Sequence, residues 1–216
     1  MKTSRNRFLA AMAALAAAMA LSAAVSGCEG GTSSETVGFV EAGPDGSRIS
    51  GRTDPGISVG LYSADFLPLS DSGFASLAVA DSSGSFAFDN LLPGKYRLLA
   101  RKDSGRKAGL IPEIELPGRP GALLRAALEP TGTLSGSIPD SLPAFLGYVY
   151  VPGTNLFAQA DSRMRYTLSG MPAGSYPVIK VWRRTLPCEP GRACGGSESR
   201  RDSAEVRIEP GRDAVW

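Results

Sequence analysis

The stretch that decides the fold is residues 81–98, which read DSSGSFAFDNLLPGKYRL. Its opening Asp-Ser-Ser-Gly is typical of a turn. Phe86 and Phe88 then alternate with small residues, so both point to one face of a strand. A Leu-Pro-Gly-Lys sequence fits a type II turn, with proline in its second place and glycine in its third. Tyr96 and Leu98 share one face of the returning strand, and the stretch therefore predicts two short strands joined by a tight turn.

Residues 161–178 repeat this pattern and read DSRMRYTLSGMPAGSYPV. The aligned pairs are Asp81 and Asp161, Phe86 and Tyr166, Phe88 and Leu168, Leu91 and Met171, Gly94 and Gly174, Tyr96 and Tyr176, Leu98 and Val178. Alternating strand aromatics usually fill a core, so we expect the aligned aromatic residues to be packed rather than to form a ligand platform. The second copy departs from the first at Met164, where the first has Gly84. We therefore expect a longer turn, or one of different geometry, at that place.

The flanks of the two copies correspond as well. Residues 49–52 resemble 134–137 as an opening strand, and 59–62 resemble 148–151 as a second strand. Short apolar alternations broken by Gly, Pro, Asp and Ser run through the chain, and no stretch keeps a helical period for long, which is typical of an all-β sandwich. We predict two tandem Ig-like or prealbumin-like β-sandwiches, over 47–130 and 131–216. Each has about 85 residues, near the size at which a sandwich can hold its own core.

These motifs resemble the carboxypeptidase regulatory-like domain, a transthyretin-like sandwich grouped with the carbohydrate-binding-like folds. The resemblance rests on G-x-F/Y-x-F/L, a short turn, and then P-G-x-Y or P-A-G-x-Y, and it covers both copies from Ser47 to Trp216. It implies an accessory module without peptidase activity, in which the motif residues are structural. Collagen-adhesin B-type repeats are similar, and some of them carry Lys–Asn isopeptide bonds. Lysine is scarce here, with Lys180 alone in the second copy, and we predict no such bond.

The N-terminal segment of the chain has the features of an export signal. Three basic residues precede an uncharged, alanine-rich run over 8–24, and small residues then lead to Cys28, in the order of a secretory signal. Residues 25–28, VSGC, resemble the lipobox of bacterial lipoproteins. This resemblance implies a signal peptide over 1–27 and a Cys28 that carries diacylglycerol and an acyl chain, which together anchor stably in a bilayer. The alternative is an uncleaved transmembrane helix, for which the run is marginally long.

The residue after Cys28 is Glu29 rather than Asp. In Gram-negative lipoproteins Asp at this place favours inner-membrane retention, so the resemblance implies the outer membrane and leaves open which face carries the protein. Residues 28–46 are predicted to form a flexible tether, because Gly and Ser dominate its start. Within it, residues 37–40 are a candidate short strand.

The composition of the chain argues against several classes of function. The signal segment holds three of the 23 basic residues and none of the 21 acidic ones, so without it acidic residues outnumber basic ones by one. This balance gives no support for a nucleic-acid partner. The chain has no histidine, which removes the commonest general base and most zinc sites. We therefore predict no metal, no catalytic residue and no cofactor apart from the lipid on Cys28.

Two further cysteines lie in the sequence PCEPGRAC, at Cys188 and Cys194. Two cysteines in an exported chain usually pair, and the Pro and Gly between them can bend the segment into a closed loop. We predict a structural disulfide. A redox pair or a metal site is the alternative, although the spacing is not C-x-x-C.

The candidate ligand contacts are Trp182, Arg183 and Arg184, because an aromatic beside cations can stack on a sugar ring or meet an acidic partner. The alternative is an edge-strand tryptophan with solvated arginines. Tyr62 and Phe66 are a second candidate surface, or a loop packed on its own sandwich.

The sequence therefore predicts a non-enzymatic, lipid-anchored envelope protein that displays two β-sandwiches for binding or scaffolding. Its expected partners are the bilayer, through Cys28, and a cell-envelope protein or polysaccharide. The alternative is a small envelope hydrolase that uses paired carboxylates, which predicts two acids converging in one cleft.

Overall fold

The computed structural model describes residues 36–42, 48–70, 72–117, 124–139, 147–185 and 197–216, with the backbone alone for 36–42, 184–185 and 197. These residues form sixteen strands and one 3-10 turn, Asp103–Gly105. The strands are β1 Thr36–Ala42, β2 Ile49–Arg52, β3 Ser58–Ser63, β4 Ala75–Val79, β5 Ser85–Phe88, β6 Gly94–Lys102, β7 Lys107–Leu116, β8 Leu124–Ala127, β9 Glu129–Pro130, β10 Gly132–Ser137, β11 Tyr148–Tyr150, β12 Phe157–Gln159, β13 Arg165–Met171, β14 Gly174–Thr185, β15 Ser197–Ile208 and β16 Asp213–Val215. The predicted all-β class is confirmed. The described part of the chain contains no helix with the length and apolar character that a membrane crossing requires.

The strands form four sheets. Sheet A has the order β5-β2-β1-β8 and sheet B the order β4-β3-β6-β7-β9, and we call these nine strands the first module. Sheet C has the order β13-β10-β16 and sheet D the order β12-β11-β14-β15, and these seven strands are the second module. Each sheet thus draws all its strands from one side of Thr131. The domain bounds themselves stay a prediction.

Each module holds a core between its two sheets. In the first, Ile49 and Phe88 of sheet A lie in one cluster with Leu61 and Leu98 of sheet B. In the second, buried residues of sheets C and D form a separate cluster; they include Leu134, Tyr166, Leu168, Val149, Val178 and Val206. The aromatic residues predicted to fill these cores are buried: Phe86, Phe88, Tyr96, Tyr166 and Tyr176.

The repeated tyrosines make the same contact in both modules. The Tyr96 hydroxyl donates a hydrogen bond to the Leu92 carbonyl at 2.7 Å. The Tyr176 hydroxyl donates to the Pro172 carbonyl, also four residues upstream. Each bond fixes the turn that leads into a central strand of sheet B or sheet D, and it satisfies a hydroxyl whose ring is buried.

The turn at Met164 differs from our expectation. The Asp81 side chain accepts hydrogen bonds from the Ser83 and Ser85 amides, at 2.8 and 2.9 Å. The Asp161 side chain accepts from the amides two and four residues on, at the same two distances. Met164 has φ +58 where Gly84 has φ +78. The prediction of a longer or different turn was therefore wrong, because the aspartate bonds hold a methionine in the left-handed conformation that glycine adopts freely.

The alignment of the second strands was wrong by one residue. The core-facing residues are Val59 and Leu61 in β3, but Val149 and Val151 in and after β11. Val59 lies opposite Ala100, and Val149 lies opposite Lys180. A shift of one residue moves every side chain to the other face of a sheet. Tyr62 is therefore not equivalent to Val151, and Tyr150 is not equivalent to Leu61.

Part of the predicted tether lies in a strand, and the rest of it lies outside the described residues. Residues 37–40 do lie in a strand, but that strand is β1, Thr36–Ala42, and it pairs antiparallel with both β2 and β8. Residues 36–42 of the 28–46 range are therefore part of sheet A. The second module has no counterpart of β1 among its described strands, and there β16 pairs directly with β10, in parallel.

The two modules pack against each other within one compact unit, Ser34–Trp216. Arg97 of β6 donates through Nη1 to the Pro152 carbonyl at 2.6 Å, and the Gly153 amide donates to the Phe66 carbonyl at 3.0 Å. Tyr62 is buried and belongs to the second module's core cluster, with Phe66 packed against that cluster. Tyr62 and Phe66 therefore stabilise the contact between modules rather than an exposed loop surface.

Candidate functional site

An open groove of about 700 Å³ lies on the second module, where strands β10, β13 and β16 of sheet C meet the end of β12. Its lining residues are Ser135, Gly136, Ser137, Gln159, Asp161, Arg165, Tyr166, Thr167, Val215 and Trp216. The groove thus combines two aromatic rings with hydroxyl, amide, carboxylate and guanidinium groups. Its volume lies in the range of small-molecule sites, which place a few polar groups on an otherwise apolar wall.

Strand β16 brings Trp216 to this groove. β16 runs parallel to β10, with Ala214 opposite Leu134, and the Trp216 amide donates to the Ser135 carbonyl at 2.9 Å. The position of Gly136 is constrained, because a Cβ there would overlap the Trp216 carbonyl oxygen. The close approach of the two backbones therefore requires a residue without a side chain at Gly136.

Lys180 lies beneath the tryptophan. It is 6% exposed, and its Nζ donates to the Trp216 carbonyl at 3.1 Å and to the Ser137 carbonyl at 3.3 Å. The same Nζ lies 3.8 Å from the centroid of the Trp216 ring, in cation–π contact. Burial lowers the pKa of Lys180, while the negative charge of Asp202 opposes that shift. Two carbonyl oxygens and an aromatic face thus compensate an ammonium group inside the second core.

Tyr166 is the second residue that holds Trp216 in place. Its hydroxyl donates to the Trp216 carbonyl at 2.6 Å, so that oxygen accepts hydrogen bonds from both Tyr166 and Lys180. Burial raises the pKa of Tyr166 to about 12. The hydroxyl therefore stays a neutral donor at physiological pH. Together the two side chains fix the backbone at the end of β16, and the Lys180 ammonium also contacts the tryptophan ring.

The polar wall of the groove includes Asp161 and Arg165, which lie 4.0 Å apart between Oδ2 and Nε. The backbone amide of Arg165, followed by that of Arg163, holds the pKa of the Asp161 carboxyl below its usual value. Asp161 is the one acidic side chain among the described lining residues. An ionised carboxylate accepts hydrogen bonds well, whereas a general acid needs a raised pKa.

The predicted contacts Trp182, Arg183 and Arg184 lie elsewhere, on β14, which is an inner strand of sheet D rather than an edge strand. Trp182 is half-buried against the second core, and its Nε1 finds no acceptor within the described part of the chain. Arg183 is exposed, and the Arg184 side chain lies outside the described residues. This placement favours a packing role for Trp182 over the predicted ligand contact.

Cys28, Cys188 and Cys194 also lie outside the described residues, so the lipid and the disulfide stay predictions. Among the residues that the structure does describe, no group of three or more His, Cys, Asp or Glu side chains comes together as a metal site would require.

Sequence reasoning missed Trp216 and Lys180. One signal for Lys180 was present in the repeat, because continuing the alignment by two residues places it at the position of Ala100, which is fully buried in the first core. A lysine at the position of a core alanine indicates a specialised site in one copy. Trp216 gave no such signal, since its neighbours in the groove are distant in sequence.

No protein-family model matches the chain, and no curated protein matches it. Among solved structures, the chain is similar to the crystal structure of a minor pilin from the Gram-positive pathogen Streptococcus agalactiae. The identity is 16% and the TM-score 0.30, over 84% of this chain and 92% of the pilin chain. At this TM-score the likeness carries no information about function.

Proposed function

We propose that the chain is a non-enzymatic lipoprotein of the cell envelope, held on the outer membrane by lipid on Cys28, whose second module binds a carbohydrate in the groove at Trp216. The observation that carries the binding site is the support of Trp216: Lys180 and Tyr166 both donate to its carbonyl, and the Lys180 ammonium lies against its ring. A ring held in this way loses little conformational freedom when a ligand stacks on it.

The chemistry of the wall supports a sugar ligand. A sugar ring presents an apolar C–H face and a rim of hydroxyls, so it needs an aromatic surface beside donors and acceptors. The groove sets Trp216 beside Gln159, Asp161 and Thr167, which supply such groups. In the described wall the charges of Asp161 and Arg165 offset each other.

The hydrolase alternative receives less support. Carboxylate-based glycosidases need two acids on opposite sides of the scissile bond, one of them with a raised pKa. The described wall supplies Asp161, whose pKa is lowered by backbone hydrogen bonds. Binding without cleavage is therefore the function that the groove supports best.

Retention on a panel of insoluble polysaccharides, peptidoglycan included, tests the binding site in the full chain. We expect the wild type to be retained, and both Trp216→Ala and Gln159→Ala to be retained at least tenfold less. Gln159 is exposed, so its variant should keep the fold, and circular dichroism checks both. Trp182→Phe is the control and should bind like the wild type. Failure of the wild type to bind any polysaccharide, or equal retention of all variants, contradicts the proposal.

Metabolic labelling with a palmitate analogue tests the anchor independently. The wild type should incorporate the label and Cys28→Ala should not. Equal labelling of the two would overturn the anchor while leaving the groove untouched.

A further inference from the structure

Strand β4, Ala75–Val79, is an edge of sheet B that lacks the usual protection against pairing. Within the described residues no strand pairs with its free side. It lies in residues 72–80, SGFASLAVA, which contain neither a charge nor a proline. Proteins normally blunt exposed edges with charged residues, proline or bulges.

Two other edge strands show this protection. Strand β9, at the opposite side of sheet B, consists of Glu129 and Pro130. Strand β15, at one side of sheet D, reads SESRRDSAEVRI and carries six charged residues. Two further edge strands, β5 and β12, also lack charge and proline, but they are shorter than β4, with four and three residues, and a short edge is itself a protection against pairing.

The outward face of β4 is also apolar. Leu77 is 75% exposed and Val79 is 65% exposed, and Ala75 at the start of the same strand is also exposed. The alternate residues Ser76 and Ala78 face inward and are half-buried. A row of exposed apolar side chains on an unpaired strand marks an interaction surface.

This row continues an interface that already exists in the chain. Leu77 lies opposite Gly60 of β3, and Gly60 lies opposite Leu99 of β6. Leu99 is buried and belongs to the second module's core cluster. The outer face of sheet B is thus covered by the second module at β6 and open at β4.

We propose that β4 pairs antiparallel with β4 of a second copy of this chain, about a two-fold axis at Leu77. In that register Leu77 faces its own equivalent and Ala75 faces Val79 of the other copy, so the apolar rows form one continuous surface. A two-fold contact places a surface patch against itself, and like charges directly opposite would destabilise it. The uncharged sequence of residues 72–80 meets this requirement, and the five strands of sheet B become ten across the dimer.

Sedimentation velocity of the full chain in detergent, over a range of concentrations, tests the pairing. We expect a monomer–dimer equilibrium that Leu77→Lys weakens at least tenfold, because two ammonium groups would then face each other across the axis. The control is Leu92→Lys, since Leu92 is 76% exposed and lies outside β4. A wild type that stays monomeric, or a dimer that Leu77→Lys leaves intact, overturns the proposal.

Cross-linking tests the register. Under mild oxidation, Leu77→Cys should give a covalent dimer that the wild type does not give, because the two-fold pairing sets residue 77 against itself. Leu92→Cys serves as the matched control for random collision. Equal cross-linking at both positions contradicts the antiparallel pairing at Leu77.

Discussion

Replacing Gly84 by alanine should destabilise the first module by about 2–3 kcal/mol, through two separate costs. Gly84 has φ +78, and a side chain in this conformation costs about 1–2 kcal/mol. In addition, its new Cβ would overlap the carbonyl oxygen of Thr53. The backbone at Thr53 would have to move away, which lengthens the 2.8 Å hydrogen bond from the Thr53 amide to the Gly84 carbonyl and loses about 1 kcal/mol more.

Two further variants separate these costs. Gly56 has the same φ, +78, but a Cβ there would meet nothing within 4 Å. Gly56→Ala should therefore lower the free energy of unfolding only through the unfavourable backbone conformation. Met164→Gly relieves that cost at the equivalent turn but adds unfolded-state entropy worth about 0.4–1 kcal/mol, and it loses a half-buried side chain. We expect its stability to stay within about 1 kcal/mol of the wild type.

The assay is urea unfolding of the full chain, followed by far-ultraviolet circular dichroism so that both modules contribute to the signal. The order of destabilisation should be Gly84→Ala, then Gly56→Ala, then Met164→Gly. If Gly84→Ala costs no more than Gly56→Ala, the overlap with Thr53 does not constrain the turn and the reasoning fails.

Three other predictions concern the second module and the repeated tyrosine. Lys180→Met should lower the free energy of unfolding by about 2 kcal/mol, because the variant lacks the charge-assisted hydrogen bonds to the main-chain oxygens of Ser137 and Trp216; a variant as stable as the wild type in urea would contradict this role. The raised pKa of Tyr166, about 12, means that its stabilising contribution is complete below pH 10 and is lost as the pH rises towards 12, by roughly 3 kcal/mol. Urea unfolding at pH 8 to 12 should therefore show a flatter pH dependence for Tyr166→Phe than for the wild type, and parallel curves would refute the assignment. Tyr96→Phe should cost about 1 kcal/mol by loss of its bond to Leu92, measured by thermal unfolding, with an unchanged midpoint as the contrary result.

The repeat made the fold predictable, because period-two alternation in residues 81–98 and 161–178 identifies both strands and their buried faces. The same reasoning failed where the alternation disappears. Residues 148–151 read YVYV, and all four are apolar, so either register buries two apolar side chains. The contact with β14, which sets Val149 opposite Lys180, decides between the two.

The candidate site was less predictable than the fold because it is built from distant segments. Trp216 meets Ser135, Tyr166 and Lys180 only after β16 pairs with β10. Parallel pairing of strands so far apart in sequence leaves no local pattern. Trp182 contacts the second core because it lies four residues after Val178, on the same face of β14, and the sequence alone did not reveal which face that is.

Strand β1 has a mechanical consequence for the proposed anchor. It follows Cys28 closely in the chain and is hydrogen-bonded on both sides, to β2 and to β8. Tension transmitted from a lipid at Cys28 would enter sheet A at an inner strand. Two ladders of hydrogen bonds would then hold that strand, whereas an edge strand would have one. The sheet position of β1 thus suits the first module to hold the protein at a membrane under pulling force.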